Sequence, residues 1–162
     1  MTELRTSPIC YAATADDVYM GYAGREELLA ALNELLEAER AGARVARRSQ
    51  RDAVNPSMLD LIKDVRDDEA RWCAMLTRQI VQMGGMPSQI CGAFYERAMA
   101  ISDVIDRLRF LNRGQSWVVR RLTALLPRVR DDDLHRDLRF MLDRHAVNIG
   151  RTAVLVQTVS AT

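Results

Sequence analysis

The sequence is short of several residue types, and each shortage excludes a class of protein. Three cysteines in 162 residues are too few and too widely spaced for a disulfide framework or a cysteine-based zinc site. Two histidines exclude a zinc site built from several histidines. Only Lys63 is a lysine among the 23 basic residues, which we attribute to the coding bias of a GC-rich genome. The formal net charge of +1 argues against nucleic acid or anionic lipid as a partner.

Long apolar segments and several catalytic motifs are also missing. No run of about 18 apolar residues is present, so we expect no membrane-spanning helix. Residues 1–22 lack the continuous apolar segment of a signal peptide, and together with the few cysteines this predicts a cytoplasmic protein. There is no Ser/His/Asp or Cys/His constellation, no glycine-rich phosphate loop and no strip of alternating basic and aromatic residues. Hydrolase, kinase and nucleic-acid-binding functions therefore have no positive support.

The residues that are present favour four amphipathic helices in one domain. The length suits a single hydrophobic core. Asn55-Pro56 is a helix start, Gly84-Gly85 is a helix stop, and a helix must end before Pro127. We expect an N-terminal arm over residues 1–23 and a helical domain over residues 24–158. The predicted helices span residues 25–50, 56–83, 102–126, and from behind the acidic residues 131–133 to residue 156, with a short helical piece near residues 94–99.

The lengths of the connections predict how the helices are arranged. About five residues join the first helix to the second, and the third to the fourth, so each pair should be an antiparallel hairpin. About 18 residues separate the second helix from the third, and at ~3.3 Å per residue they can span roughly 60 Å, the full length of a bundle. The sequence therefore predicts an all-α four-helix bundle of two hairpins joined by a long crossover.

Each predicted helix carries a polar residue in the middle of its apolar stripe. On a helical wheel these residues are Glu39, Glu69, Gln115 and His145, in chain order. The first two are each 15 residues from position 54 in the first short loop, and the last two are each 15 residues from position 130 near the second. Equal distance from the turn of an antiparallel hairpin means equal height, so all four should meet in one layer. We place three more residues in or beside this layer: Trp72, Asn112 and Asn148.

Two carboxylates that face each other in such a layer need compensation. A buried carboxylate costs several kcal/mol unless it is paired, hydrogen-bonded or bound to a metal. At least one of Glu39 and Glu69 would be protonated unless a cation lies between them. The layer is therefore predicted to be either a closed hydrogen-bond network or a metal site.

On these residues the chain resembles the ferritin-like superfamily of ferritins, bacterioferritins and rubrerythrins, over roughly residues 24–158. It looks closest to bacterial ferritin-like proteins of unknown function. In the superfamily the first and third helices each give a Glu, the second and fourth each give Glu-x-x-His, and these ligands hold two irons. Glu39, in the run LNELLEAE, matches the Glu of the first helix, and Glu69 matches the Glu of the second.

The other four ligand positions depart from the superfamily pattern. Trp72 stands where the His of the second helix is expected, and its indole N–H can only donate a hydrogen bond. Gln115 replaces the Glu of the third helix and is a weak neutral ligand that cannot bridge two irons. His145 and Asn148 replace the Glu and the His of the fourth helix. These departures argue against a two-iron oxidase or an iron-storage activity.

Two hypotheses follow. In the first, the protein is a structural or interaction module without catalysis or cofactor, and a polar network fixes the packing of the bundle. The Trp72 indole and the Gln115 and Asn148 amides would then donate to carboxylates, and His145 would pair with Glu69. In the second, the protein is a metalloprotein that binds one divalent ion, iron, manganese or zinc, and can be redox-active. The ligands in the second hypothesis are Glu39, Glu69 and His145. The sequence names no substrate.

One surface feature also stands out. Phe110 and Trp117 lie seven residues apart on the third helix, opposite its core stripe. An exposed apolar patch usually marks a partner surface. The alternatives are a seam between the two copies of a homodimer and a cover formed by the N-terminal arm through Tyr19, Met20 and Tyr22.

Overall fold

A computed structural model describes residues 16–160 of the chain. The described residues form α-helices and short 3₁₀ turns without a β-strand, which confirms the all-α prediction. In this part of the chain no helix has the length and apolar character needed to cross a membrane. The helices are α1 (Arg25–Ser49), α2 (Pro56–Gln82), α3 (Phe94–Met99), α4 (Val104–Leu125) and α5 (Asp132–Ser160).

The helix ends follow the local signals in the sequence. The Asn55 side chain accepts a hydrogen bond from the Met58 N–H at 2.8 Å and caps α2, whose first residue is Pro56. Gly84 ends α2 with a φ of 71°, a left-handed conformation that favours glycine. At its C-terminus α5 continues to Ser160, four residues beyond the predicted end.

The four long helices form two antiparallel hairpins, as predicted. α1 packs mainly on α2 and α4 mainly on α5, while α1 also contacts α4 and α2 also contacts α5. The segment between α2 and α4 runs along α1 from its first turn to its second half, which confirms the long crossover. Three hydrogen bonds mark its course: Arg25 Nε to Met83 O at 2.9 Å, Asn33 Nδ2 to Met86 O at 3.2 Å, and Arg40 Nη1 to Ile90 O at 2.7 Å.

The apolar core is divided into two clusters along the bundle axis. One cluster is built around leucines of α1 and α4, together with Leu76 and Leu138. The other contains Val45, Met58 and Ile62 near the opposite end. On every long helix the predicted polar position falls between the two clusters. The polar layer therefore lies at mid-height, with apolar packing above and below it.

The described end of the N-terminal arm packs on the connection between α4 and α5. Asp17 Oδ1 lies 2.5 Å from Arg130 Nη1, and the Ala23 N–H donates to Arg128 O at 2.8 Å. Tyr19 is 86% exposed, so it covers little of the protein surface. Tyr19 therefore does not shield the aromatic rings of α4, and a cover formed by Met20 and Tyr22 stays a prediction. The rest of the arm, residues 1–15, lies outside the described residues.

Candidate functional site

The structure brings together the four polar side chains that were predicted to share one layer. Glu39, Glu69, Gln115 and His145 are each at most 3% exposed. His145 Nε2 lies 3.2 Å from Glu39 Oε1, and Gln115 Nε2 donates to Glu69 Oε1 at 3.0 Å. The layer thus consists of two contacting pairs, and each pair joins helices of different hairpins.

His145 is oriented by the backbone of its own helix. Its Nδ1 lies 3.0 Å from Met141 O, and because a carbonyl only accepts, Nδ1 carries a proton there. Nε2 then points at Glu39, so the predicted pairing of His145 with Glu69 is wrong. The contact between Nε2 and Glu39 Oε1 has the distance of an ion pair.

Burial and the neighbouring charges set the protonation of this layer. Burial, together with the charge of Glu39, raises the pKa of Glu69 to about 8, although the hydrogen bond from Gln115 opposes the shift. Burial is the largest influence on the pKa of His145 and would lower it, but the charge and hydrogen bond of Glu39, the charge of Glu69 and the Met141 carbonyl together outweigh burial and raise that pKa to about 9. At neutral pH the layer therefore holds a neutral Glu69 and an imidazolium beside the Glu39 carboxylate.

Gly42 makes room for one of these carboxyl groups. It lies three residues after Glu39 on α1, and a Cβ at this position would be 2.1 Å from Glu69 Oε2. A glycine inside a helix costs about 1 kcal/mol relative to alanine, so it usually has a packing reason. A glycine three residues after Glu39 therefore indicates close packing beside the polar layer, and the predictions from the sequence did not include it.

One of the predicted layer residues, Asn148, belongs to a neighbouring cluster around Asp68. Asp68 is 4% exposed and was not singled out from the sequence. Its Oδ2 accepts from Arg144 Nη2 at 2.8 Å and from Asn148 Nδ2 at 3.0 Å. Asn148 therefore donates to a different carboxylate from the one predicted. Asn112 Nδ2 donates to the backbone of α5, at Ile149 O, over 3.2 Å.

Trp72 is buried but does not donate to a carboxylate as predicted. Its ring packs edge-to-face on Phe140, with a centroid distance of 5.5 Å. Among the described residues its Nε1 has no hydrogen-bond partner. The same holds for three oxygens of the layer: Glu39 Oε2, Glu69 Oε2 and Gln115 Oε1. Buried polar atoms are normally bonded, so these atoms indicate that the layer is not saturated by protein contacts alone.

A cavity of about 540 Å³ leads from the surface to the layer. It lies between α1 and α4, where α3 crosses them, and Glu39, Glu69, Gln115 and His145 all line it. Small side chains in its lining, such as that of Ala38, leave this space unfilled. The polar layer therefore borders the inner end of this cavity.

The aromatic residues of α4 stand near the mouth of this cavity. Phe110 is half-buried and stacks on Phe94 of α3, with ring centroids 4.8 Å apart. Gly114 allows this approach, because a Cβ there would lie 2.7 Å from the Phe94 ring. Trp117 is half-buried against the core. The predicted exposure of the two rings is wrong, and a homodimer seam at this surface stays a prediction.

A family model described as a domain of unknown function (DUF6306) matches residues 26–154. The chain belongs to this family. No sequence among the curated proteins matches it.

Two solved structures resemble the DUF6306 fold. A ferritin-like, diiron-carboxylate protein from Bacillus anthracis str. Ames has a TM-score of 0.72 at 17% identity, over 82% of this chain and 96% of that chain. A dodecameric thioferritin, the bacterioferritin-related protein from Bacteroides fragilis, has a TM-score of 0.73 at 12% identity, over 88% and 91%. These similarities show that the DUF6306 chain has a ferritin-like fold.

The donor set of this DUF6306 chain does not fit the two irons that its fold implies. Trp72 offers only a donor, and Asn148 is bonded to Asp68. Gln115 uses its amide N–H to bind Glu69. Between residues 16 and 160, no group of three or more His, Cys, Asp or Glu side chains is arranged to hold a metal ion. Two carboxyl groups and one imidazole remain in the layer.

Proposed function

We propose that this protein is a structural or interaction module with a ferritin-like fold. In place of a two-iron centre it has a polar layer in which protons on Glu69 and His145 balance the charge of the carboxyl groups. In this role the layer joins the two hairpins and fixes their packing. The protein would have no ferroxidase or iron-storage activity.

The contact of His145 with Glu39 carries this proposal. With Nδ1 donating to Met141 O, an imidazolium can place its second proton toward Glu39, and a buried carboxylate is then neutralised without a metal. Glu69 is compensated separately, by the Gln115 amide and by its own proton. The layer can therefore be uncharged overall with only the residues of the chain.

The pH dependence of stability tests the proposal. The pKa of Glu69 is raised from 4.5 to about 8, and that of His145 from 6.5 to about 9, so the folded state holds more protons than the unfolded chain. Stability is therefore expected to fall as the pH rises from about 6 to about 8, by about 1–2 kcal/mol per pH unit. Urea unfolding in chelator-treated buffer measures this slope.

A double variant is the control for this experiment. Changing Glu39 and Glu69 together to Gln removes the Glu69 titration and the charges that raise the pKa of His145, so stability should no longer fall as the pH rises from about 6 to about 8, while the stability at neutral pH changes little. A bound metal would give the opposite sign, because its ligands must lose their protons and metal binding therefore strengthens with pH. Stability that rises with pH in untreated protein would contradict the proposal.

A single divalent ion is the second candidate. It is favoured by the unpartnered Glu39 Oε2 and Glu69 Oε2 atoms, and by the His145 orientation, since a metal-bound histidine commonly donates its other ring N–H to a carbonyl. Glu39, Glu69 and His145 would hold the ion and its charge would offset the two carboxylates, but their side chains would first have to move, because they are not arranged to hold a metal ion in the described structure. Iron, manganese or zinc suits such a mixed ligand set.

A further inference from the structure

The cavity beside the polar layer has the dimensions of a small-molecule site and a mainly apolar wall. Its volume of about 540 Å³ lies within the range of roughly 300–1,000 Å³ that is typical of ligand pockets. Ala38 on α1 faces Leu111 and Val118 on α4 across it, and Phe94 and Phe110 line its outer end. Such a wall favours an apolar ligand body, because filling the cavity removes apolar surface from water.

The inner end of the cavity offers nothing that would bind a charged group. The atoms there that lack a hydrogen-bond partner, Glu39 Oε2, Glu69 Oε2 and Gln115 Oε1, are fully buried. Glu69 Oε2 also packs directly against Gly42. With a neutral Glu69 and an imidazolium beside Glu39, the layer has no net charge. A charged group of a ligand can therefore be bound only at the outer end.

The outer end holds two arginine side chains whose charges no acid matches. Arg97 of α3 and Arg113 of α4 are exposed and line the cavity, and their guanidinium groups lie over the same Phe110 ring, 5.5 and 5.3 Å from its centroid. Within residues 16–160, neither guanidinium forms an ion pair or a hydrogen bond with an acidic side chain. Two like charges beside one ring repel each other, and an anion bound between them would offset that repulsion.

The two acids in the cavity lining already have other partners. Glu34 forms an ion pair with Arg121, and Glu37 accepts a hydrogen bond from Ser88 Oγ at 2.6 Å. Their charges nevertheless oppose a head with two negative charges, such as a phosphate monoester. A carboxylate has one negative charge and matches the planar fork of arginine. The formal net charge of +1 argues against a broad anionic surface as a partner, but not against one small anion.

We propose that this cavity binds a small amphiphilic carboxylate, whose head contacts Arg97 and Arg113 and whose apolar chain lies between α1 and α4. This inference goes beyond the structural role proposed above. It adds a binding activity that can fail while the metal-free layer stands, because no residue of the layer binds the head.

Calorimetric titration of the full chain in chelator-treated buffer at neutral pH tests the proposal. The probe is octanoate, and octan-1-ol and n-octylammonium are the comparison compounds with the same chain length. We expect about one equivalent of octanoate to bind, roughly five- to tenfold more tightly than octan-1-ol, because charge-assisted hydrogen bonds are stronger than neutral ones. n-Octylammonium should bind more weakly than octan-1-ol, and added salt should weaken the binding of octanoate but not that of octan-1-ol. No binding of octanoate, or equal binding of the three compounds, would overturn the proposal.

Arginine variants test where the head binds. Arg97→Gln and Arg113→Gln together should lower the affinity for octanoate to that for octan-1-ol, while the affinity for octan-1-ol stays the same. Arg47→Gln with Arg120→Gln removes the same two charges from exposed positions outside the cavity lining, and should leave the preference for octanoate intact. If the first pair of substitutions also left that preference intact, the head would bind elsewhere and the proposal would be wrong.

Substitutions on α1 test where the chain binds. Ala38→Leu fills the cavity and should abolish the binding of octanoate and of octan-1-ol, while Ala30→Leu, at an exposed position outside the cavity lining, should change neither. Ala38→Val adds less volume and should weaken binding to an intermediate degree, which keeps the test valid if Ala38→Leu does not fold. Unchanged binding in a folded Ala38→Leu or Ala38→Val variant would sink the inference.

Discussion

Replacing Glu39 by alanine is expected to lower the free energy of unfolding by about 3–5 kcal/mol, the usual cost of breaking a buried ion pair. The side chain is 1% exposed, and its Oε1 lies 3.2 Å from His145 Nε2. Its removal leaves the imidazole without its counter-charge and opens a void between the two apolar clusters. Urea unfolding at neutral pH, with a chelator present, measures the loss without any contribution from metal.

Glu34→Ala is the matched control on the same helix. Glu34 also forms an ion pair, with Arg121, but both side chains are nearly half exposed. Exposed pairs contribute about 0–1 kcal/mol because water screens them, so this variant should be close to the parent in stability. Similar losses for Glu39→Ala and Glu34→Ala would show that the central pair has no special structural role.

Gly42→Ala is expected to destabilise the protein by about 1–3 kcal/mol, the usual cost of overpacking a core. The new Cβ would lie 2.1 Å from Glu69 Oε2, so the Glu69 carboxyl group would have to move. That movement would strain the hydrogen bond that Gln115 donates to it over 3.0 Å. Thermal unfolding of the variant beside the parent measures the effect.

Gly150→Ala gives the comparison for that experiment. Gly150 lies inside α5, and nothing stands within 4 Å of the Cβ that alanine would add. Alanine should therefore stabilise this helix by about 0.5–1 kcal/mol through its helix propensity alone. The two glycine substitutions should thus have opposite signs, and a gain of stability in Gly42→Ala would contradict the tight packing of Glu69 against α1.

The bundle and the height of its polar layer could be predicted because both depend on periodic features of the sequence. The spacing of apolar residues places Glu39 and Glu69 on buried faces, and their equal distances from the first loop set a common height. The same argument brings Gln115 and His145 to that height from the second hairpin. Loop lengths then predict the crossover, which the hydrogen bonds along α1 confirm.

The hydrogen-bond and ion-pair partners within the layer could not be predicted. They depend on side-chain rotamers and on rotations of a helix about its axis that are smaller than the angle between successive residues. His145 pairs with Glu39 since its Nδ1 is held by Met141 O, a contact that no spacing indicates. Asp68 is adjacent to Glu69, and a helical wheel does not show that both are buried. The hydrogen bond from Asn148 to Asp68 could therefore not be predicted.

The cavity could not be predicted from the sequence either. Its cover comes from the weakly periodic crossover, where Phe94 of α3 stacks on Phe110. Helix periodicity alone therefore predicted Phe110 to be exposed. Glycines gave the one available signal, because Gly114 lies inside α4 and allows the approach of Phe94.

Elemental analysis tests the central claim, a polar layer compensated by protons, most directly. The protein would be purified without chelators and analysed again after anaerobic incubation with ferrous, manganous and zinc ions. We predict no stoichiometric retention of any of these metals after desalting. About one retained equivalent that disappears in Glu69→Ala would contradict the account and would establish Glu39, Glu69 and His145 as a metal site.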